Sequence, residues 1–272
     1  MNLAANLTAS AEVFAGKTAL KLDDCSLSYR AIDAASARVA GLLRQRSVGP
    51  GDRVGLMLPN VPQFAVVYYG ILRAGAVVVL ISALLEQHDV GFLLADSGAG
   101  LLLAWHGLAE EAEAGARGPG SDCLFVTPRE FDRLLSAADP VREICEREPD
   151  DVAVIRYANS GEREELGHAE LARRVASAVE TQSVADDDVV LAALPLDQDF
   201  GHICSLNAAI ACGATVSLMV RFDAGRALEA IERDGVTVFH GTSSMYRALL
   251  KHPRRASIDV TALRQCGTTA VV

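Results

Sequence analysis

No Cys-x-x-Cys pair occurs in the 272 residues, although there are six cysteines, Cys25, Cys123, Cys145, Cys204, Cys212 and Cys266. Without paired spacing they read as buried small hydrophobes, not as metal or redox ligands. The opening residues, MNLAANLTAS, carry no basic side chain and no long apolar core. They predict no secretory leader, and the chain reads as cytoplasmic. The longest apolar run, AGAVVVLISALL at 74–85, is shorter than the about 20 residues that a membrane-crossing helix needs, so no transmembrane segment is expected. Basic residues are outnumbered, 25 Lys and Arg against 35 Asp and Glu, for a net charge of −10. That balance argues against nucleic acid or an anionic membrane as partner. No two histidines stand four apart, so the spacing of a helical zinc site is missing, and no metal ligand is expected. Gly-x-Ser-x-Gly is absent, and HGTSS at 240–244 does not make a triad by nearness alone. GPGDRVG is not a dinucleotide fingerprint, and Gly161 to Gly167 lacks the Lys-Ser/Thr of a Walker loop. No internal repeat is visible.

What is present is the balance of a folded protein: half the residues are hydrophobic and only 22% are charged. Apolar strands alternate with helical periodicity. Ser28 can cap a helix from Tyr29 with Ile32, Val39, Leu42 and Leu43 on its apolar face, and VGPGD stops it. RVGLML reads as a strand, Pro62 starts the next helix, and the continuous apolar run AVVVLI reads as a strand covered on both faces. A helix over 86–96 and the strand GLLLAW follow. Residues 107–120 read as a surface excursion with room for one helical turn, and CLFV as a short strand. Downstream come VAVIRY, a helix over 168–182, DVVLAAL, an apolar helix over 200–212, ATVSLMV, a helix over 224–234, VTVF and a helix over 243–251. LRQCGTTAVV looks like a strand ending in an apolar, β-branched tail that should be paired within a sheet. The alternation predicts an α/β fold of layered, mostly parallel sheets flanked by helices. The charged, proline-flanked DPVREICEREPDD marks the best internal boundary, giving subdomains over 1–150 and 151–272.

Several segments resemble the acyl-adenylate-forming, AMP-binding ligases of the fatty-acid–CoA ligase type. SLSYRAIDAASARVAGLL is similar to that family's opening helix. VGPGDRVGLMLPNVPQFAVVYYGILRAGAVVV is similar to its first strand–helix–strand unit. The stretch from LPLDQDFGHICSLN to GTSSMYRALL resembles the region that builds the acyl pocket. The resemblance implies a family that uses ATP, Mg²⁺ and CoA to turn a carboxylic acid into an acyl-AMP and then a thioester. Full members are about twice this length, with later ribose and adenine motifs, a hinge and a C-terminal domain with a catalytic Lys. None of these is in this sequence, which therefore resembles the N-terminal half, truncated within its second subdomain.

The segment VIRYANSGEREELGHAEL at 154–171 has the outline of strand, small-residue loop and helix. At this point the family shows Tyr-Thr-Ser-Gly-Thr-Thr-Gly-x-Pro-Lys-Gly, a loop that wraps the ATP phosphates. Laid ungapped, Tyr157 and Gly167 keep the two ends, and a shift of one residue aligns Ser160 and Gly161 with the family's Ser-Gly. The Thr pair and the Lys have no counterpart, and Glu162, Glu164 and Glu165 stand there instead. Phosphate sites direct N–H groups and cations at negative oxygens. A carboxylate about 4 Å from a phosphate charge opposes binding by about 1 kcal/mol in water-like surroundings and about 4 kcal/mol at an effective dielectric near 20. A solvated loop of carboxylates is the simpler reading of these residues, and both readings predict poor ATP binding.

The resemblance makes Tyr157, Ser160, Gly161 and Gly167 remnant phosphate-loop positions. Gln198, His240, Gly241 and Thr242 are the pocket candidates for an acyl ligand, in a segment that reads equally as packed core. No catalytic residue is assigned. The expectation is a truncated fatty-acid–CoA ligase homologue with a degenerate phosphate loop, no bound cofactor, and little or no adenylation alone. Two alternatives stand beside it. One is a non-catalytic binding or assembly module whose open sheet edge is completed by another protein or a second copy. The other is one half of a split acyl-CoA ligase.

Overall fold

Two stretches of alternating strand and helix condense into two six-stranded sheets. The structure, a computed structural model, describes residues 1–158 and 161–268. The strands are β1 (Thr18–Leu22), β2 (Cys25–Ser28), β3 (Arg53–Met57), β4 (Val77–Leu80), β5 (Leu101–Trp105), β6 (Asp122–Val126), β7 (Val152–Tyr157), β8 (Arg163–Gly167), β9 (Val189–Ala192), β10 (Thr215–Leu218), β11 (Val238–Gly241) and β12 (Gln265–Thr268). The α-helices are α1 (Ala5–Val13), α2 (Tyr29–Gln45), α3 (Pro62–Arg73), α4 (Gln87–Ser97), α5 (Ala109–Arg117), α6 (Pro128–Ala137), α7 (His168–Gln182), α8 (Ala208–Cys212), α9 (Ala224–Asp234) and α10 (Ser243–Lys251).

The chain divides into two compact units. One contains Met1–Thr8, Ala31–Pro59 and Gln63–Arg173, the other Ala9–Arg30, Asn60–Pro62 and Arg174–Val272. In the first, the strand order is β6-β5-β3-β4-β7-β8, parallel throughout except for the antiparallel β7–β8 pair. The central strands read as unbroken apolar runs because helices cover both faces, and all four residues of β4 are buried. A part-buried ion pair anchors this unit: buried Arg73, at the end of α3, reaches the half-buried Asp33 and donates to the Thr8 hydroxyl at 3.0 Å.

The second unit has the order β12-β11-β9-β10-β1-β2, parallel except for β1–β2. Asp188, just before β9, is 3% exposed and accepts from Arg264 Nε at 2.9 Å, the Thr237 hydroxyl at 2.6 Å and the Ala185 N–H at 2.8 Å. These bonds fasten the segments leading into β9, β11 and β12. Burial alone would raise its pKa, but the hydrogen bonds from Arg264 and Thr237 overcome it and hold the carboxyl below the ordinary range.

The structure departs from the sequence reading in several places. Residues 109–117 form a full helix, α5, not a loose excursion. Its Ala and Glu content favours helix, and Ala112 and Ala116, four apart, bury one face. The helix α6 is signalled by Pro128 at its first turn and by buried Phe131 and Leu135. It lies outside the elements that the sequence pattern predicts, as do α1, β1 and β2. The helix over 200–212 exists, but Gly201–Asn207 is wound as a π-helix before α8. The boundary at 150/151 does not match the sheets, because β7 and β8 pair with β4 in the first one. The tail beyond Thr268 lies outside the described residues.

Candidate functional site

The first set of candidate residues surrounds the connection between β7 and β8, within the first unit. The two strands are antiparallel. Gly161 N–H donates to Ala158 O at 2.8 Å, and Ala158 N–H donates to Glu162 O at 2.9 Å. Gly161 has φ +81°, a conformation that favours glycine. Ser160 lies outside the described residues. Glu164 and Glu165 are not in a solvated loop: they belong to β8. Arg156 lies directly opposite Glu164, and its Nε donates to that carboxylate at 2.7 Å. Arg163 pairs with Glu165 and donates to Asp96 O at 2.8 Å. Glu162 stays exposed in the turn.

Tyr157 ends β7, and its hydroxyl donates to Asp96 Oδ2 at 2.7 Å. Burial, and then the Asp96 carboxylate, raise its pKa well above the ordinary phenol value, so it stays protonated. Gly167 is not brought to the turn. It pairs with Val152 at the far end of the hairpin, about 14 Å from Arg163 at the usual strand rise. Among the described residues, Tyr157 and Gly161 are the remnant phosphate positions that flank this connection, and Gly167 is not.

The second set lies in the second unit. His240 and Gly241 close β11, and Thr242 caps α10, its Oγ1 accepting from Met245 N–H at 3.3 Å. They stand at the C-terminal end of a parallel strand, where open α/β sheets place ligands. A Cβ on Gly241 would come 2.8 Å from the Phe239 ring, so the position demands glycine. His240 is fully buried, and its Nδ1 lies 3.4 Å from Ser205 Oγ. The Phe200 ring meets it edge-on, with centroids 5.2 Å apart. Its Nε2 has no hydrogen-bond partner among the described residues. Burial depresses its pKa to about 4, which keeps the ring neutral near pH 7.

Gln198 is not gathered with these three. It is exposed in the turn before the π-helix, where its carbonyl accepts from His202 N–H at 2.8 Å. Sequence reasoning missed Asn60, which is 4% exposed. Its Nδ2 donates to Ala192 O at 3.0 Å and Leu194 O at 2.9 Å, and its Oδ1 accepts from Leu196 N–H at 3.0 Å. It therefore fixes the segment that leads from β9 to the π-helix. PNVP reads as a helix start, and the signal for Asn60 is a polar residue set between apolar neighbours there.

The sequence pattern of the AMP-binding enzyme family matches residues 7–161 and 165–271. The chain belongs to the AMP-binding enzyme family. The two matched segments leave out residues 162–164, where the chain enters β8. It is 32% identical over 262 residues to a feruloyl-CoA synthase from Amycolatopsis sp, covering 93% of this chain and 52% of that one. It is 24% identical to a long-chain-fatty-acid–CoA ligase from Bacillus subtilis, covering 96% and 53%. Its fold matches the crystal structure of an anthranilate CoA ligase in complex with anthranoyl-AMP with a TM-score of 0.93 at 22% identity, covering 99% of this chain and 54% of that chain. This AMP-binding family member thus spans about half the length of the relatives it matches. No helix among its described residues is long and apolar enough to cross a membrane.

Proposed function

We propose that this chain is one half of an ATP-dependent carboxylic acid–CoA ligase, that its phosphate turn is degenerate, and that it forms no acyl-adenylate by itself. The observation that carries the reading is the state of the β7–β8 turn. A triphosphate would need backbone N–H groups and a cation aimed at its oxygens. The N–H groups of Ala158 and Gly161 are already spent on carbonyls of the turn. The cations at hand, Arg156 and Arg163, are paired with Glu164 and Glu165. Glu162 adds an exposed carboxylate. These residues do not fit a triphosphate, so no step through ATP is assigned to the chain.

The acid class follows the relatives, one named for a feruloyl and another for a long-chain fatty acyl group. The His240–Thr242 segment is the part of the chain proposed to face that acid. Isothermal titration with ATP·Mg²⁺ tests the reading. No heat of binding is expected at micromolar ligand, and a hydroxylamine trap for acyl-adenylate should stay empty. Micromolar binding would refute it.

A second reading, an assembly module, is favoured by β12. Among the described residues this strand lies at one edge of its sheet, and it carries no charged residue between Gln265 and Thr268. Sheet edges free of charge invite strand addition by a partner or a second copy. Sedimentation separates the two readings: a clean monomer with no retained protein counts against the module.

A further inference from the structure

Acidic residues outnumber basic ones across the chain, but not everywhere. From residue 235 to 258 there is no Asp or Glu, while Arg247, Lys251, Arg254 and Arg255 fall in the last part of that stretch. Arg247 and Lys251 are four apart on α10 and both exposed. Leu250 lies between them and is 71% exposed. Arg254 and Arg255 follow directly in the 3₁₀ turn Pro253–Ser257. Among the described residues, Arg247, Lys251 and Arg255 make no ion pair, whereas Arg254 donates to Glu229 at 2.6 Å. The neighbouring acids are engaged elsewhere: Asp223 caps α9, and Glu232 accepts from the Asp259 N–H at 2.9 Å.

From this geometry we propose that the exposed face of α10 and the turn after it form a docking surface for an anionic lipid bilayer. Charge complementarity is the ground. Long, unpaired basic side chains around one exposed leucine match a fluid surface of negative headgroups, with the leucine entering the acyl boundary. A protein partner would call for a packed, aromatic-rich contact core, and no aromatic side chain on α10 is exposed. The net charge of −10 does not forbid this. At physiological salt the screening length is about 8 Å, so acids on other faces are largely hidden from a surface touching this one.

The test is flotation of the whole chain with phosphatidylcholine vesicles, with and without about 30% phosphatidylserine. Binding is expected only to the anionic vesicles, and it should disappear at about 1 M salt, where the screening length is about 3 Å. The double substitution Arg247→Glu with Lys251→Glu should lower the partition coefficient at least about tenfold. Leu250→Ser should lower it several-fold while leaving its salt dependence in place. These side chains are exposed, and unchanged circular dichroism confirms that the variants fold. Arg117→Glu, an exposed basic residue on α5, serves as the control that should bind like the parent. The proposal is overturned if the parent ignores anionic vesicles. Equal losses in the control and the patch variants would overturn it too. So would patch variants that keep vesicle binding but lose binding to soluble polyglutamate, an outcome that assigns the surface to an acidic protein instead.

Discussion

His240 shows how burial alone can decide a side chain's chemistry. No charged group stabilises its imidazolium, and its pKa falls to about 4 because the ring has left water. Folding therefore discriminates against the proton. Above the unfolded value of about 6.5 neither state is protonated and His240 costs nothing. As the pH drops from there toward 4, the unfolded chain takes up a proton that the folded chain refuses, so stability falls with acid. His168, buried in the first unit with its Nδ1 accepting from Leu3 N–H at 3.2 Å, acts in the same sense. Urea midpoints measured from about pH 7 down to pH 4.5 should therefore decline, and His240→Gln should flatten the decline by up to about 1.4 kcal/mol per pH unit. Parallel slopes for parent and variant would show that the ring is protonated in the folded state. Asn60 offers a complementary case, since its role is positional. Asn60→Ala leaves two carbonyls and one N–H without their partner, and should cost about 2–4 kcal/mol in chemical denaturation. A loss below about 0.5 kcal/mol would mean that the segment from β9 to the π-helix is held by other contacts.

The β7–β8 hairpin carries the next argument. Arg156 and Glu164 are directly opposite on antiparallel strands, and the pair is part-buried. Cross-strand pairs of opposite charge contribute about 0.2–1 kcal/mol. A double-mutant cycle with Arg156→Ala and Glu164→Ala should return a coupling in that range, and a coupling of zero would make the ladder ornamental. The carboxylates looked like a loop because REELG has no alternation of apolar residues, the usual mark of a half-buried strand. Arg156 supplies what apolar partners did not, and that pairing is invisible until the register is known. Elsewhere the periodicity was clear enough to read. The helices α7, α9 and α10 were legible to the residue, because each has an apolar face at helical spacing and a clear start. The π-wound stretch could not be read, since a change from four-residue to five-residue hydrogen bonding leaves the apolar content unaltered. For the candidate site only nearness along the chain is legible: His240, Gly241 and Thr242 follow one another at the end of β11, whereas Gln198 stands exposed in another turn.

At the level of the whole chain, each compact unit takes its parts from distant stretches of sequence. The second sheet contains β1 and β2, from near the start of the chain, beside β9 and β10. The first sheet contains β7 and β8, which follow the charged stretch at 139–151. That stretch looks like a linker because it is polar and flanked by prolines, but a linker is defined by the contacts that do not cross it, and the pairing of β4 with β7 does cross it. Cutting the chain at 150/151 should therefore damage both sheets. Residues 1–150 would lose β7 and β8 and expose the edge of β4, a fully apolar strand. Residues 151–272 would lose β1 and β2 and expose the edge of β10, whose four residues are all buried. Bare edges of this kind template aggregation. Expressed separately, both fragments should be insoluble or lack a cooperative thermal transition. Co-expressed, they should recover a single soluble complex, since the two pieces together restore every strand pair. Two soluble fragments, each melting cooperatively by itself, would show that the chain is built from consecutive domains and that the sheets tolerate the loss of their outer strands.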